Sequence, residues 1–187
     1  MQGEGSAGAR TSLVTLARSS IEHGLVHGRP LAVEPGAQEP ALREPAASFV
    51  TLELRSALRG CIGTLEAHRP LAVDVAENAF AAAFRDPRFA PLARFELADL
   101  EVHVTLLSPL ERLGAASEAE LLAQLRPGID GLVLRVGERR ATFLPAVWED
   151  LPDPVAFLRA LLRKAELPAE AWPAGAEAWR YTVRSVA

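Results

Sequence analysis

Hydrophobic and polar positions recur along this chain with two periods, and the changes of period mark its elements. From Arg10 to about Gly28, apolar residues fall at Leu13, Ala17, Ile21 and Leu25, flanked by Val14 and Leu16. That spacing predicts a helix with one buried stripe, ending near Gly28-Arg29-Pro30. The preceding Met1 to Ala9 is small and polar and reads as a disordered lead-in. Gly28 to Ala47 carries four prolines and no period, which predicts a long surface loop. Ser48 to Leu54 alternates, with Val50, Leu52 and Leu54 on one face and Phe49, Thr51 and Glu53 on the other. A turn at Arg55-Ser56-Ala57 would deliver this strand into a second one as a hairpin. Helical period returns at Leu71, Val75, Ala79 and Ala83, joined by Ala76 and Phe80. Pro70 suits its start, and Asp86-Pro87 stops it because a proline pushes the residue before it out of the helical region. A further strand, Glu101 to Leu107, sets Leu100, Val102, Val104 and Leu106 against Glu101, His103 and Thr105.

Downstream, Ser117 opens a short helix through Leu125 with Glu120 as a capping-box partner. Leu132–Val136 and Arg139–Phe143 flank Gly137-Glu138 as a hairpin. A helical turn follows within Leu144–Leu151, and Asp153-Pro154 opens a helix with Phe157, Leu158, Leu161 and Leu162 as its buried stripe. Trp179, Tyr181 and Val183 alternate with Arg180, Thr182 and Arg184 in a last strand. Strands joined by both hairpins and helices, without strict βαβ alternation, predict an α+β fold: a mostly antiparallel or mixed sheet flanked by helices. Residues 10–187 are expected to form a single domain, with seams for a smaller second lobe near 28–47 and 113–130.

Composition narrows the classes. Hydrophobic residues make up 49% of 187, enough for a core. Twenty basic against 24 acidic residues give a net charge of −4, which disfavours non-specific nucleic-acid binding. One cysteine excludes an intramolecular disulfide and a multi-cysteine zinc or iron–sulfur site within the chain. His23 and His27 are spaced like a helical ligand pair, but no HExxH pattern accompanies them, and they read as surface residues. No metal site is assigned. Neither a continuous apolar span nor a signal-peptide pattern appears, so a soluble, cytoplasmic protein is expected.

The candidate chemistry centres on Leu58-Arg59-Gly60-Cys61-Ile62-Gly63, read on into Thr64. In an extended segment Arg59 and Cys61 share one face, and Leu58 and Ile62 the other. A guanidinium beside a thiol favours the thiolate, the form that attacks electrophiles and binds metals. Gly60 and Gly63 would let the backbone bend or let a ligand approach closely. Equally, a lone cysteine is commonly a small buried hydrophobe. Arg85, Asp86 and Arg88 cluster in the turn after the second helix, as an Asp–Arg brace or as a polar wall beside the cysteine strand. Asn78 could reach a pocket from that helix, or serve the helix alone. Glu101 and His103 become site candidates if their face also carries Arg59 and Cys61, which strand order decides.

Arg59–Thr64, Phe84-Arg85-Asp86-Pro87-Arg88-Phe89 and Ala141-Thr142-Phe143-Leu144-Pro145 together resemble the AMMECR domain family. Its bacterial and archaeal members carry the name AmmeMemoRadiSam system protein A. The resemblance runs from about Leu13 to Tyr181. It implies a larger and a smaller α+β lobe with the cysteine motif at a cleft. It also implies an association with Memo-like and radical SAM proteins, hence a redox or modification pathway. This chain lacks the three-cysteine cluster signature of a radical SAM protein and any GxGxxG or GxxxxGK[ST] loop, so no cofactor is assigned to it. Two functions stay open. In one, the chain is an enzyme or enzyme subunit with Cys61 as nucleophile or redox centre, Arg59 activating it or holding an anion, and His103 or Glu101 moving protons. In the other, it is a non-catalytic scaffold or a ligand- or peptide-binding module in which Cys61 is structural.

Overall fold

The structure, a computed structural model, describes residues 4–34, 36 and 38–186, with side chains from Leu13 onward. It divides into two compact units, one running to Leu107 and resuming at Arg184, the other Ser108–Val183. The segments 28–47 and 113–130 each lie inside one unit. The first is tied down by buried Leu42, by the Leu71 N–H to Glu44 carbonyl bond and by a bridge between Pro45 and Pro70. The second is held by the Trp148 indole, which donates to the Asp130 carbonyl at 2.7 Å.

In the first unit, α1 (Glu4–His27) begins at Glu4 rather than Arg10. Each further residue adds a hydrogen bond to a helix already nucleated, and Ala7, Ala9 and Arg10 favour that state. Residues 1–3 of the expected lead-in lie outside the described residues. Leu13, Ala17 and Ile21 are buried as expected, but Gly24, not Leu25, completes the stripe. A Cβ on Gly24 would meet the Phe84 ring at 2.5 Å, so α1 and α3 (Leu71–Phe84) approach more closely there than a side chain allows. A short helix, α2 (Pro40–Arg43), interrupts the proline-containing loop.

Strands β1 (Ala47–Leu54), β2 (Ala57–Gly63), β3 (Leu100–Leu107) and β8 (Val183–Val186) form a sheet of order β2-β1-β3-β8, in which β1 runs antiparallel to both β2 and β3. Val50, Leu52, Val102 and Val104 bury one face in the core with Leu13, Ala17, Ile21, Val75 and Ala79 from the helices. The two-residue turn Arg55-Ser56 has positive φ at both positions, 52° and 63°. That is the geometry of a tight hairpin turn.

The second unit holds a sheet of order β4-β7-β5-β6, from β4 (Glu111–Leu113), β7 (Glu177–Tyr181), β5 (Gly131–Val136) and β6 (Arg139–Phe143). Helices α4 (Glu118–Gln124), α5 (Val147–Asp150) and α6 (Pro154–Lys164) accompany it, and Phe157, Leu158, Leu161 and Leu162 fill its core. Ser117 and Asp153 cap α4 and α6 by accepting from the Glu120 and Ala156 N–H groups. The single last strand expected over Trp179–Arg184 is two, β7 and β8, in different sheets. Thr182 breaks it because its N–H donates to Ser108 Oγ and its carbonyl accepts from the Ser108 N–H, both at 2.9 Å. The architecture is α+β. No helix among the described residues is long and apolar enough to cross a membrane.

Candidate functional site

The orientation of Cys61 is set by one extra residue. Leu54 pairs with Ala57 and Glu53 with Leu58, but Leu52 then pairs with Gly60, so Arg59 stands unopposed as a β-bulge. Without it the register from the tight turn would set Cys61 opposite Val50, on the core face. With it, Cys61 pairs with Thr51 on the polar face, because a shift of one residue moves a side chain to the other side of the sheet. Thr51 pairs in turn with His103 on β3, and Glu53 with Glu101. Cys61, Thr51, His103, Glu53 and Glu101 therefore share one face. Leu58 shares it too and is 46% exposed, contrary to its expected place beside Ile62.

Cys61 is half-buried. Thr51 Oγ1 donates to Cys61 Sγ at 3.3 Å. β2 is the edge strand, and the main chain of Cys61 faces outward from it. Its N–H donates to Asp86 Oδ2 at 2.9 Å, and its carbonyl accepts from Arg88 Nη2 at 3.3 Å. Asp86, only 4% exposed, also accepts from the Arg88 N–H, Nε and Nη2. The turn that closes α3 thus covers an unpaired strand edge at the cysteine. The Arg88 hydrogen bonds, followed by that from the Cys61 N–H, hold the Asp86 carboxyl well below the usual carboxylate range. In return the hydrogen bonds to Asp86 raise the Arg88 guanidinium above its ordinary value.

Arg59 is not free to activate the thiol. Its Nε and Nη2 form a bidentate pair with Glu96 at 2.7 and 3.0 Å, and both side chains are nearly buried. Glu96 accepts from the Ala93 N–H as well, and Arg59 foremost holds it below its ordinary value. Arg59 Nη1 is buried without a hydrogen-bond partner. Phe89 lies under both the Arg59 and Arg88 guanidinium groups, at 5.9 and 5.4 Å.

Other candidates take packing positions. A Cβ at Gly60 would lie 2.2 Å from the Ala82 carbonyl oxygen, and one at Gly63 2.3 Å from the Phe49 ring. Both glycines thus admit neighbouring protein rather than a ligand. Arg85 lies over the Phe80 ring at 4.9 Å. Asn78 is buried behind the sheet, where its amide donates to the Ser48 carbonyl at 3.0 Å and to Asp74 Oδ2 at 2.9 Å. Asp74 is the centre of that network. It is fully buried and accepts from the Ser48 N–H and hydroxyl, Thr64 Oγ1, Arg69 Nε and Asn78. An acid in the first turn of α3 is also what the helix dipole favours, and no local signal marks Asp74 as a tie between α3, β1 and the end of β2.

Thr51 and Glu53 were assigned to the polar face by alternation but not to the site, since only the bulge brings Thr51 opposite Cys61. In the second unit, the Ala141–Pro145 motif is structural at Thr142, whose hydroxyl donates to the Leu132 carbonyl and meets Tyr181 Oη at 3.0 Å. Burial pushes the Tyr181 phenol up to about 12.

Known proteins resemble this chain along most of its length. A protein of Aeropyrum pernix is 40% identical over 166 residues, covering 86% of this chain and 70% of its own. One of Methanothermobacter thermautotrophicus is 39% identical over 158 residues, covering 84% and 82%. The crystal structure of the uncharacterized protein PH0010 from Pyrococcus horikoshii superposes with a TM-score of 0.84 at 32% identity, covering 93% of this chain and 88% of that one. The AMMECR1 family model matches residues 14–186, the span that holds the bulged cysteine strand and its bracing turn, and the chain belongs to that family.

Proposed function

We propose that Cys61 is the working thiol of an enzyme or enzyme subunit. The observation that carries this reading is the bulge at Arg59, which turns Cys61 out of the core to accept a hydrogen bond from Thr51. A cysteine needed only as a small hydrophobe gains nothing from that rotation, since the unbulged register would bury it beside Val50. The Asp86–Arg88 brace fixes the main chain on both sides of the thiol, which holds a nucleophile in one orientation. The Thr51 hydroxyl donates to the sulfur, and Arg88, itself paired with Asp86, braces the same strand edge through the Cys61 carbonyl. In this reading the pathway is the redox or modification system that the family resemblance implies, with Memo-like and radical SAM partners supplying the cofactors.

The test is reconstitution with Memo-like and radical SAM proteins from the same genome, reading cleavage of S-adenosylmethionine and modification of added protein. Wild-type chain is expected to support turnover that an alkylating agent abolishes. Cys61→Ser is expected to fold within about 1 kcal/mol of wild type and to support none. A folded Cys61→Ser chain with full turnover would make the thiol structural and the polar face a scaffold for partners.

A further inference from the structure

We infer that Glu53, Glu101 and His103 form a binding site for a divalent first-row transition-metal cation on the polar face of the first sheet. This goes beyond the thiol reading and stands without it. Among the described residues, one ligand atom from each of the three lies within 4.8 Å of the other two. His103 Nε2 is 3.8 Å from Glu53 Oε2 and 3.9 Å from Glu101 Oε2. Both separations exceed a hydrogen bond. They lie a few tenths of an ångström beyond the edge of about 3.4 Å spanned by two ligands each ~2.1 Å from a tetrahedral centre. Small rotations of both carboxylates toward the imidazole close the difference.

A second observation concerns the imidazole itself. Although 41% of the His103 side chain is exposed, its Nε2 is buried between the carboxylates and has no hydrogen-bond partner. A buried ring nitrogen with no partner is costly unless something coordinates it. The carboxylates carry the same message. Glu53 and Glu101 stand directly opposite each other in the β1–β3 register, an arrangement in which like charges repel. No arginine or lysine among the described residues forms an ion pair with either. A cation between them would neutralise both acids and occupy the imidazole.

The scaffold is rigid, since all three ligands sit on two paired strands. One imidazole with two carboxylates suits zinc, iron, cobalt, nickel or manganese better than calcium, which takes an all-oxygen shell. Three protein ligands leave coordination positions for water or a substrate atom.

The experiment titrates the metal-free full-length chain with Co²⁺ and with Zn²⁺, by cobalt absorption and by calorimetry. One cation per chain is expected. His103→Ala, and the shape-conserving pair Glu53→Gln with Glu101→Gln, should each weaken binding by about a hundredfold or more, beyond the usual effect of losing an outer-shell partner. Circular dichroism confirms that the variants are folded. Cys61→Ser should bind as wild type does, with no loss of cobalt absorption. Absence of saturable uptake, equal affinity in the glutamine and alanine variants, or loss of binding in Cys61→Ser would each overturn the assignment. Because the cysteine variant keeps the metal site, failure here leaves the thiol reading standing, and the converse also holds.

Discussion

The two faces of the first sheet treat carboxylates in opposite ways. On the core side Asp74 is fully buried, and every neighbour of its oxygens is a donor, including the Arg69 guanidinium. On the polar side Glu53 and Glu101 face each other without an arginine, beside an imidazole nitrogen that has no hydrogen-bond partner. In the second sheet a strand acid is paired with arginines across strands. There Glu177 on β7 accepts from Arg112 on β4 and Arg135 on β5. The partnered charges tie strands and helix together, whereas the two acids of the polar face have only the His103 imidazole near them, at 3.8 and 3.9 Å.

Removing the partnered acid should cost most. Asp74→Ala leaves buried donors without an acceptor and is expected to lower stability by about 3–5 kcal/mol, read from the urea midpoint. A loss below about 1 kcal/mol would erase the contrast between the faces. Gly60→Ala comes next. Its Cβ would press on the Ala82 carbonyl, so strand and helix must part, at a cost of about 1–3 kcal/mol.

Asp86→Asn is expected to cost about 1–3 kcal/mol near neutrality and to change the acid limb of the stability curve. The folded-state values of Asp86 and Glu96 are depressed. Their stabilisation is therefore complete above the unfolded carboxylate values of about 4 and is lost as pH falls below them. Melting temperature measured against pH should fall less steeply below pH ~4 in Asp86→Asn than in wild type. An unchanged acid limb would remove Asp86 from the account. The smallest effect belongs to the polar face. Glu53→Gln should leave stability unchanged or raise it by a few tenths of a kcal/mol, since it removes a cross-strand repulsion. A clear loss in metal-free protein would mean that Glu53 has a structural partner after all.

Much of the fold was legible because period and capping are local. The β1 and β3 alternation, the α3 stripe, and the Ser117 and Asp153 caps all follow from neighbouring residues. What the sequence hides is non-local. Three residues of β4 are too few to show a period. Thr182 looks like any strand residue until Ser108 takes both of its main-chain groups. The site depended most on such a feature. Strict alternation joined Arg59 to Cys61, whereas the bulge sends Arg59 to Glu96 and gives Cys61 the neighbours Thr51 and Arg88. Glu101 and His103 were made conditional on strand order, and that order puts them on the face of Cys61, while Arg59 turns to Glu96.

The most direct test of the central claim is the rate at which Cys61 reacts with iodoacetamide in native protein, compared with the same chain in urea at the same pH. The account predicts labelling of native protein without unfolding, slowed in Thr51→Val, which removes the hydroxyl but keeps the shape. Labelling that appears only once the chain unfolds, at a rate set by global opening, would contradict it and return Cys61 to the core.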